Sequence, residues 1–354
     1  MRVLRAKRRA SAASAVRAGN AVLNSVERGR RTRLLSQPTS LTVHVTDRCS
    51  LRCAMCMNAS GSTLDWPEEA RHERSRDFSP DIFIELMERF PLARSVCLAG
   101  IGEPLLNPHL RDMATLAKAR GLAVSLITNG TELADHAMWL ANGCVDEIEV
   151  SANAVDDASM ARVCGGSPEA FARFTAGLSA LVDARNHSGF PRKLSISSVL
   201  WKSRLHDAAA VLDLAASRGI DSVTFHNLIP SSLSGCGIEE VLDVRESEHL
   251  KGLASEGLRL GVNVGLPAIA SVDLEADRGY TTCVSPWRTL YVDADGGVSG
   301  CFRIEAPSRG NGDWLRSSVW NNDYFRTLRR SHLGDRPSLP IRCRTCVQTF
   351  TAAS

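Results

Sequence analysis

Between residues 41 and 228 short β-prone runs alternate with longer amphipathic ones, and that rhythm admits few architectures. LTVHVT (41–46), SVCLAG (95–100), LAVSLIT (122–128), VDEIEVS (145–151), LSISSVL (194–200) and SVTFHNL (222–228) are expected as strands. Helices are expected at 79–90, 109–120, 131–142, 168–186 and 203–218. Pro80 after Ser79 and Pro168 after Ser167 suit a first helical turn, while Gly121, Gly143 and Gly219 suit the left-handed residue that ends one. Six strands separated by helices pair in parallel through right-handed crossovers, which gives an α/β doubly wound sheet or a partial or full barrel. Functional residues then gather where the strands end.

The rhythm stops near residue 230. One helix is expected near 243–257, two short strands around Asp295-Gly296-Gly297 within 289–302, and a last helix near 320–333. Residues 231–354 are therefore expected as a second, small unit that needs a staple to hold together. At the other end, residues 1–33 carry ten Lys or Arg against Glu27 alone, leaving the rest of the chain acidic. We read residues 1–40 as a basic, Ala-rich helical arm leading into the core. The other reading is a contact for nucleic acid or an anionic membrane surface, with metal sites elsewhere as staples. No apolar run is long enough for a spanning helix or a secretory signal, so the expected address is the cytoplasm.

Eleven cysteines in such a chain are better explained as metal ligands than as disulfides. They are grouped. Cys49, Cys53 and Cys56 follow the first strand, Cys343 and Cys346 form a second group, and Cys283 and Cys301 lie between. Three thiolates on a loop at a strand end can hold three irons of a cubane and leave the fourth open. An open metal position is what a site needs if it is to bind a reactant and not only carry electrons. The alternative is a zinc knuckle lacking its fourth ligand, the next histidine being His72.

The C-x3-C-x2-C spacing after a first strand resembles the signature of radical S-adenosylmethionine (SAM) enzymes. Ala99-Gly100-Ile101-Gly102-Glu103-Pro104 after the second strand is similar to that family's Gly-Gly-Glu motif, and Thr128-Asn129-Gly130-Thr131 after the third to its TNG segment. Ser151 and Asn153 end the fourth strand, where the family places polar side chains. The resemblance spans about residues 41–230 and implies a partial (β/α)6 TIM-like barrel. It implies that Cys49, Cys53 and Cys56 hold a 4Fe–4S cluster, and that Gly102 and Glu103 hold the methionine ammonium of SAM. Ser151 and Asn153 would bind its ribose and carboxylate, with Thr128 and Asn129 lining the same site. Met55 stands where an aromatic usually precedes the third cysteine, so adenine contact falls to its backbone and thioether.

Cys283-x12-Gly296-x4-Cys301 followed by Cys343-x2-Cys346 resembles the first part of the cysteine-rich SPASM extension, in the shortened form called a twitch domain. The resemblance implies a small α+β twitch domain at 231–354 with one auxiliary 4Fe–4S cluster held by four cysteines. Four thiolates saturate a cluster, which suits electron transfer. A four-cysteine zinc ribbon is the other reading of this spacing.

Cys97 and Cys144 are expected as buried small hydrophobes. Cys164 and Cys236 lie towards the strand ends, where either could return a hydrogen atom to a substrate radical. His44, His109, His226 and His332 show no metal-ligand spacing; Trp287 and Trp320 are expected to pack the small domain, and Asp293 and Asp295 to flank its turn. By family implication the reaction begins with a 5′-deoxyadenosyl radical that takes hydrogen from a C–H bond. Oxidation of a sugar or aminocyclitol in antibiotic biosynthesis is the expected outcome, with a reduced flavodoxin or ferredoxin as electron donor. Epimerisation using a cysteine and modification of a peptide are the competing outcomes. No nucleic-acid partner and no transmembrane segment are expected.

Overall fold

A computed structural model describes residues 2–56, 77–229, 236–267, 269, 283–294, 296–301, 319–334, 338–340, 343 and 346, with side chains from residue 13. Asp295 of the expected hairpin lies outside the described residues. The expected strands form with small changes of boundary: β1 (Ser40–His44), β2 (Ser95–Ala99), β3 (Ala123–Thr128), β4 (Glu147–Ser151), β5 (Lys193–Leu200) and β6 (Ser222–Asn227). Between them run α2 (Pro80–Arg89), α3 (Leu110–Ala119), α4 (Leu133–Trp139), α5 (Asp157–Cys164), α6 (Ala170–Ser188) and α7 (Ala208–Ser217), after an N-terminal α1 (Arg2–Glu27). Ser79 caps α2 by accepting from the Asp81 amide, with Pro80 in the first turn. The stretch expected as one helix at 131–142 is instead α4 plus a π turn at Leu140–Cys144, which Gly143 closes at φ 93°.

The sheet continues past residue 230, the expected start of the second unit. Helix α8 (Ser247–Leu260) leads to a short β7 (Asn263–Gly265) that pairs parallel with β6. After helix α9 (Ser285–Arg288), β8 (Thr289–Val292) pairs parallel with the free side of β1, and β9 (Val298–Ser299) folds back antiparallel on β8. The sheet order is β7-β6-β5-β4-β3-β2-β1-β8-β9. The small C-terminal unit is thus hydrogen-bonded to the barrel's first strand. Helix α10 (Asp323–Ser331) lies beyond it.

Alternation along the strands separates two faces. Leu41, Val43, Val96, Leu98, Ile148, Leu194 and Ile196 are fully buried beneath the helices. Each such side chain contributes about 1.5–3 kcal/mol. The opposite face lines the lumen and is polar. Strand register aligns Tyr291, Thr42, Cys97, Ser125 and Glu147 in one row, and places Glu149 beside Ser195 in the next. Cys97 belongs to this row with its thiol against Ser125; the structure gives it a half-buried lumen position where the sequence suggested a buried small hydrophobe. Cys144 is likewise only half-buried, with its thiol near Thr115 Oγ1 at 3.5 Å.

The basic arm packs onto the body. Asn24 Nδ2 donates to Trp287 O at 2.6 Å, and Trp287 Nε1 to Arg31 O at 2.7 Å. Arg329 of α10, fully buried, donates to Thr32 O at 3.0 Å and lies over the Trp320 ring. Among the described residues no helix is long and apolar enough to cross a membrane.

Candidate active site

The loop Cys49–Cys56 leaves β1 at the mouth of the barrel and is held from three sides. Behind it, Gly102 N donates to Thr46 O at 3.2 Å and Glu103 N to Arg48 O at 2.7 Å, so the segment after β2 is laced to the chain entering Cys49. On one flank, Arg52 N donates to Cys164 O and Ala54 N to Val163 O, both at 2.8 Å, which ties the loop to the end of α5. On the other, Ser50 Oγ lies 2.8 Å from Thr131 Oγ1, and Asn129 Nδ2 donates to Ser50 Oγ at 3.2 Å. Helix α5 was not expected from sequence; it starts at a capping box between Asp156 and Ser159.

Two glycines make these approaches possible. A Cβ on Gly102 would fall 2.3 Å from Arg48 O and 2.5 Å from Thr46 O, and one on Gly165 would fall 2.8 Å from Arg52 O. Backbone carbonyls cannot yield as a side-chain tip can. Gly102→Ala is therefore expected to lower stability by about 1–3 kcal/mol and to open the loop. Urea denaturation checks the first effect and iron retention the second.

Glu103 joins the two motifs. Its side chain is buried; Oε1 accepts from Leu105 N at 3.0 Å and Thr128 Oγ1 at 2.7 Å, and Oε2 from Asn129 N at 2.6 Å. A carboxylate offers roughly four acceptor positions, so one remains for a further donor. Burial pushes the carboxyl up to about 7 from its ordinary 4.5, against the pull of those hydrogen bonds. Because the folded value is raised, its contribution to stability is present below pH 4.5 and is lost as pH rises through about 7. Recognition of a cation runs the opposite way, since it needs the charged form. For a Glu103 that holds the SAM ammonium, as the sequence resemblance implies, SAM affinity is expected to improve as pH rises through about 7, with the slope removed in Glu103→Gln. Equilibrium binding across that range is the check.

The thiols suit a cluster. None of the eleven cysteines forms a disulfide. Asn129 Nδ2 lies 3.6 Å from Cys49 Sγ, an N–H donor set against that sulfur. Burial pushes Cys49 up to about 11, and the hydrogen bond to Cys164, with burial behind it, pushes Cys53 up. Iron must displace these protons to bind. Among the described residues no three His, Cys, Asp or Glu stand close enough for a single metal ion; a cube does not require it, since its thiolates attach to separate irons.

The remaining residues predicted for this site fall around the same mouth. Met55 is half-buried against the core, and Thr128 is buried beneath Glu103. Ser151 ends β4 half-buried, and Asn153 Oδ1 accepts from Val199 N at 2.8 Å, bridging the ends of β4 and β5. Cys164 is buried with its thiol on Cys53, while Cys236 is half-buried in the segment after β6.

The auxiliary cysteines gather beside the lumen. The charges of Cys301, Cys97 and Cys283 all act on Tyr291, whose hydroxyl is pushed up to about 12, chiefly by burial. Cys346 lies near Cys283, and Cys301 and Cys343 both act on Tyr324. His44 of β1 meets Asp293 across the same boundary, Nδ1 lying 2.9 Å from Oδ1 without the alignment of a hydrogen bond.

Residues 43–232 match the radical SAM superfamily. The chain belongs to that superfamily. Residues 283–347 match SPASM, an iron–sulfur cluster-binding domain. A radical SAM enzyme of this build uses a 4Fe–4S cluster, SAM and auxiliary iron–sulfur ligation, which the two thiol groups fit. Among curated proteins, the chain is 29% identical over 200 residues to the tungsten-containing aldehyde ferredoxin oxidoreductase cofactor-modifying protein of Pyrococcus furiosus, covering 54% of this chain and 51% of that protein. It is 32% identical over 198 residues to the GTP 3′,8-cyclase of Erythrobacter litoralis, covering 54% of each. The chain thus spans about half the length of these relatives. Among solved structures, Streptococcus suis SuiB bound to SAM superposes with a TM-score of 0.62 at 13% identity, over 88% of this chain and 72% of that one. Native anSMEcpe with bound SAM gives 0.56 at 15% identity, over 88% and 95%. At such identities the likeness is one of fold.

Arg204, Glu149 and Tyr291 escaped the sequence reading. Only their place on or just after a barrel strand could have marked them.

Proposed function

We propose that this chain oxidises an alcohol carbon of a small polar molecule, a sugar or a cyclitol, to a ketone. When bound, SAM and its cluster supply a 5′-deoxyadenosyl radical able to take hydrogen from a C–H bond, and the auxiliary cluster supplies a place for the remaining electron. The observation that carries this reading is Tyr291, which shares a lumen row with Cys97 across β1 and is near enough to Cys283 and Cys301 for their charges to act on it. An electron acceptor beside the lumen suits loss of hydrogen better than its return. Gly102 and the free acceptor position of Glu103 hold the methionine ammonium, Ser151 and Asn153 the ribose and carboxylate, and Met55 the adenine. Thr128 and Asn129 keep Glu103 in place. In the lumen, Thr42, Ser125, Ser195, Ser197 and Thr224 offer hydroxyls matched to a polyol, and Glu149 is a carboxylate able to accept the alcohol proton. A reduced flavodoxin or ferredoxin is the proposed electron donor.

The second reading is epimerisation, in which a thiol returns hydrogen. Cys236 would serve it, since Cys164 is occupied against Cys53. An anaerobic reaction with C-deuterated sugars and cyclitols tests both. Deuterium in 5′-deoxyadenosine with a ketone product supports oxidation. An epimer that disappears in Cys236→Ala supports the second reading, and label that reaches 5′-deoxyadenosine from a deuterated peptide but from none of the sugars or cyclitols rejects both.

A further inference from the structure

Arg204 sits in the 3-10 turn Lys202–Asp207 at the carboxyl end of β5, with its side chain 5% exposed. Nε donates to Asp207 Oδ2 at 2.8 Å, and Nη1 reaches Val199 O at 3.4 Å. The guanidinium lies over the Trp201 ring at 4.7 Å. These contacts hold one edge and one face of the group. Nη2 is buried and has no hydrogen-bond partner among the described residues. Buried donors are almost always satisfied, and one left over at a strand end points to a ligand that completes it. Arg204 follows β5 at the mouth, near enough for its charge to act on Cys53 of the cysteine loop, Cys164 at the end of α5 and Cys236 after β6.

We infer that Arg204 anchors an oxyanion of the substrate, a carboxylate or a phosphate, at the barrel mouth. The planar fork presents N–H groups spaced for two oxygens of such a group. Stacking on Trp201 and the bond to Asp207 fix the fork before the ligand arrives, so little side-chain freedom is lost on binding. A neutral polyol leaves the donor unmet, and the ammonium of an aminocyclitol would face like charge. The inference rests on the small-molecule reading above and narrows it to an acidic or phosphorylated sugar, held by Arg204 at the anion.

The test is anaerobic titration of the cluster-loaded enzyme with SAM present. The probes are inorganic phosphate, acetate, D-glucose, D-glucuronate and D-glucose 6-phosphate. At least one oxyanion class is expected to bind about tenfold or more tighter than glucose. That preference should vanish in Arg204→Gln and survive in part in Arg204→Lys, with SAM affinity unchanged in both. The phosphate and carboxylate arms show which oxyanion the site takes. If Arg204→Gln does not fold, Arg204→Lys together with anion-dependent thermal stabilisation of the unaltered enzyme gives the answer. Equal binding of neutral and anionic probes overturns the inference, and so does a fall in SAM affinity in place of the anion's. Binding of phosphate or acetate through Arg204, with no sugar bound better, leaves the anchor standing and removes the sugar reading.

Discussion

Replacing Cys53 with Ala is expected to abolish 5′-deoxyadenosine formation, by more than about a thousandfold, and to remove about four of about eight irons per chain. The loop has no spare donor in its own sequence: Cys49, Cys53 and Cys56 are its three thiols, and each is needed if three irons are to be held. The neighbouring thiol makes the experiment sharper. Cys164 lies against Cys53, thiol to thiol. Cys164→Ala is expected to keep its iron and cleave SAM within a few-fold of the unaltered enzyme. Iron loss in Cys164→Ala equal to that in Cys53→Ala would make Cys164 a ligand and contradict the three-thiol site. Quantifying iron, sulfide and 5′-deoxyadenosine on anaerobically prepared protein separates the cases.

The second large effect is expected from the other group of thiols. Cys343 and Cys346, both buried, follow α10, and the Cys346 amide donates to Cys343 O at 3.2 Å. On the proposed oxidation, the double change Cys343→Ala, Cys346→Ala should leave SAM cleavage within a few-fold but lower ketone formation by more than about a hundredfold, because the proposed acceptor for the electron is lost. The ratio of 5′-deoxyadenosine to ketone would rise steeply over that of the unaltered enzyme. The small unit should also melt at a lower temperature, since metal binding there is part of its folding energy. A fall of both products in parallel would mean that the auxiliary site serves only structure.

Much of the barrel is legible in the sequence because each strand is a compact β-branched or apolar run closed by glycine or polar residues. What was missed was short or non-local. Helix α5 is eight residues with a cap of Asp156 and Ser159 in place of the commoner Ser or Thr with Glu, and β7 is three residues long. The parallel pairing of β8 with β1 joins segments some 250 residues apart, which no local pattern reports. The cysteine groups, and with them the family, were legible because their spacing is written along the chain. Arg204 was not, because an arginine in a turn reads as solvated until burial and the lack of a partner for Nη2 are seen. Cys97 was misjudged for a related reason: the two faces of a barrel strand differ only by what packs on them.

The most direct measurement is the spectrum of the reduced, anaerobically reconstituted enzyme before and after adding SAM. Thiolates from Cys49, Cys53 and Cys56 with one iron left for SAM should give a brown protein whose electron paramagnetic resonance signal shifts on addition, followed by release of 5′-deoxyadenosine. A colourless protein, or a signal indifferent to SAM, would contradict the site.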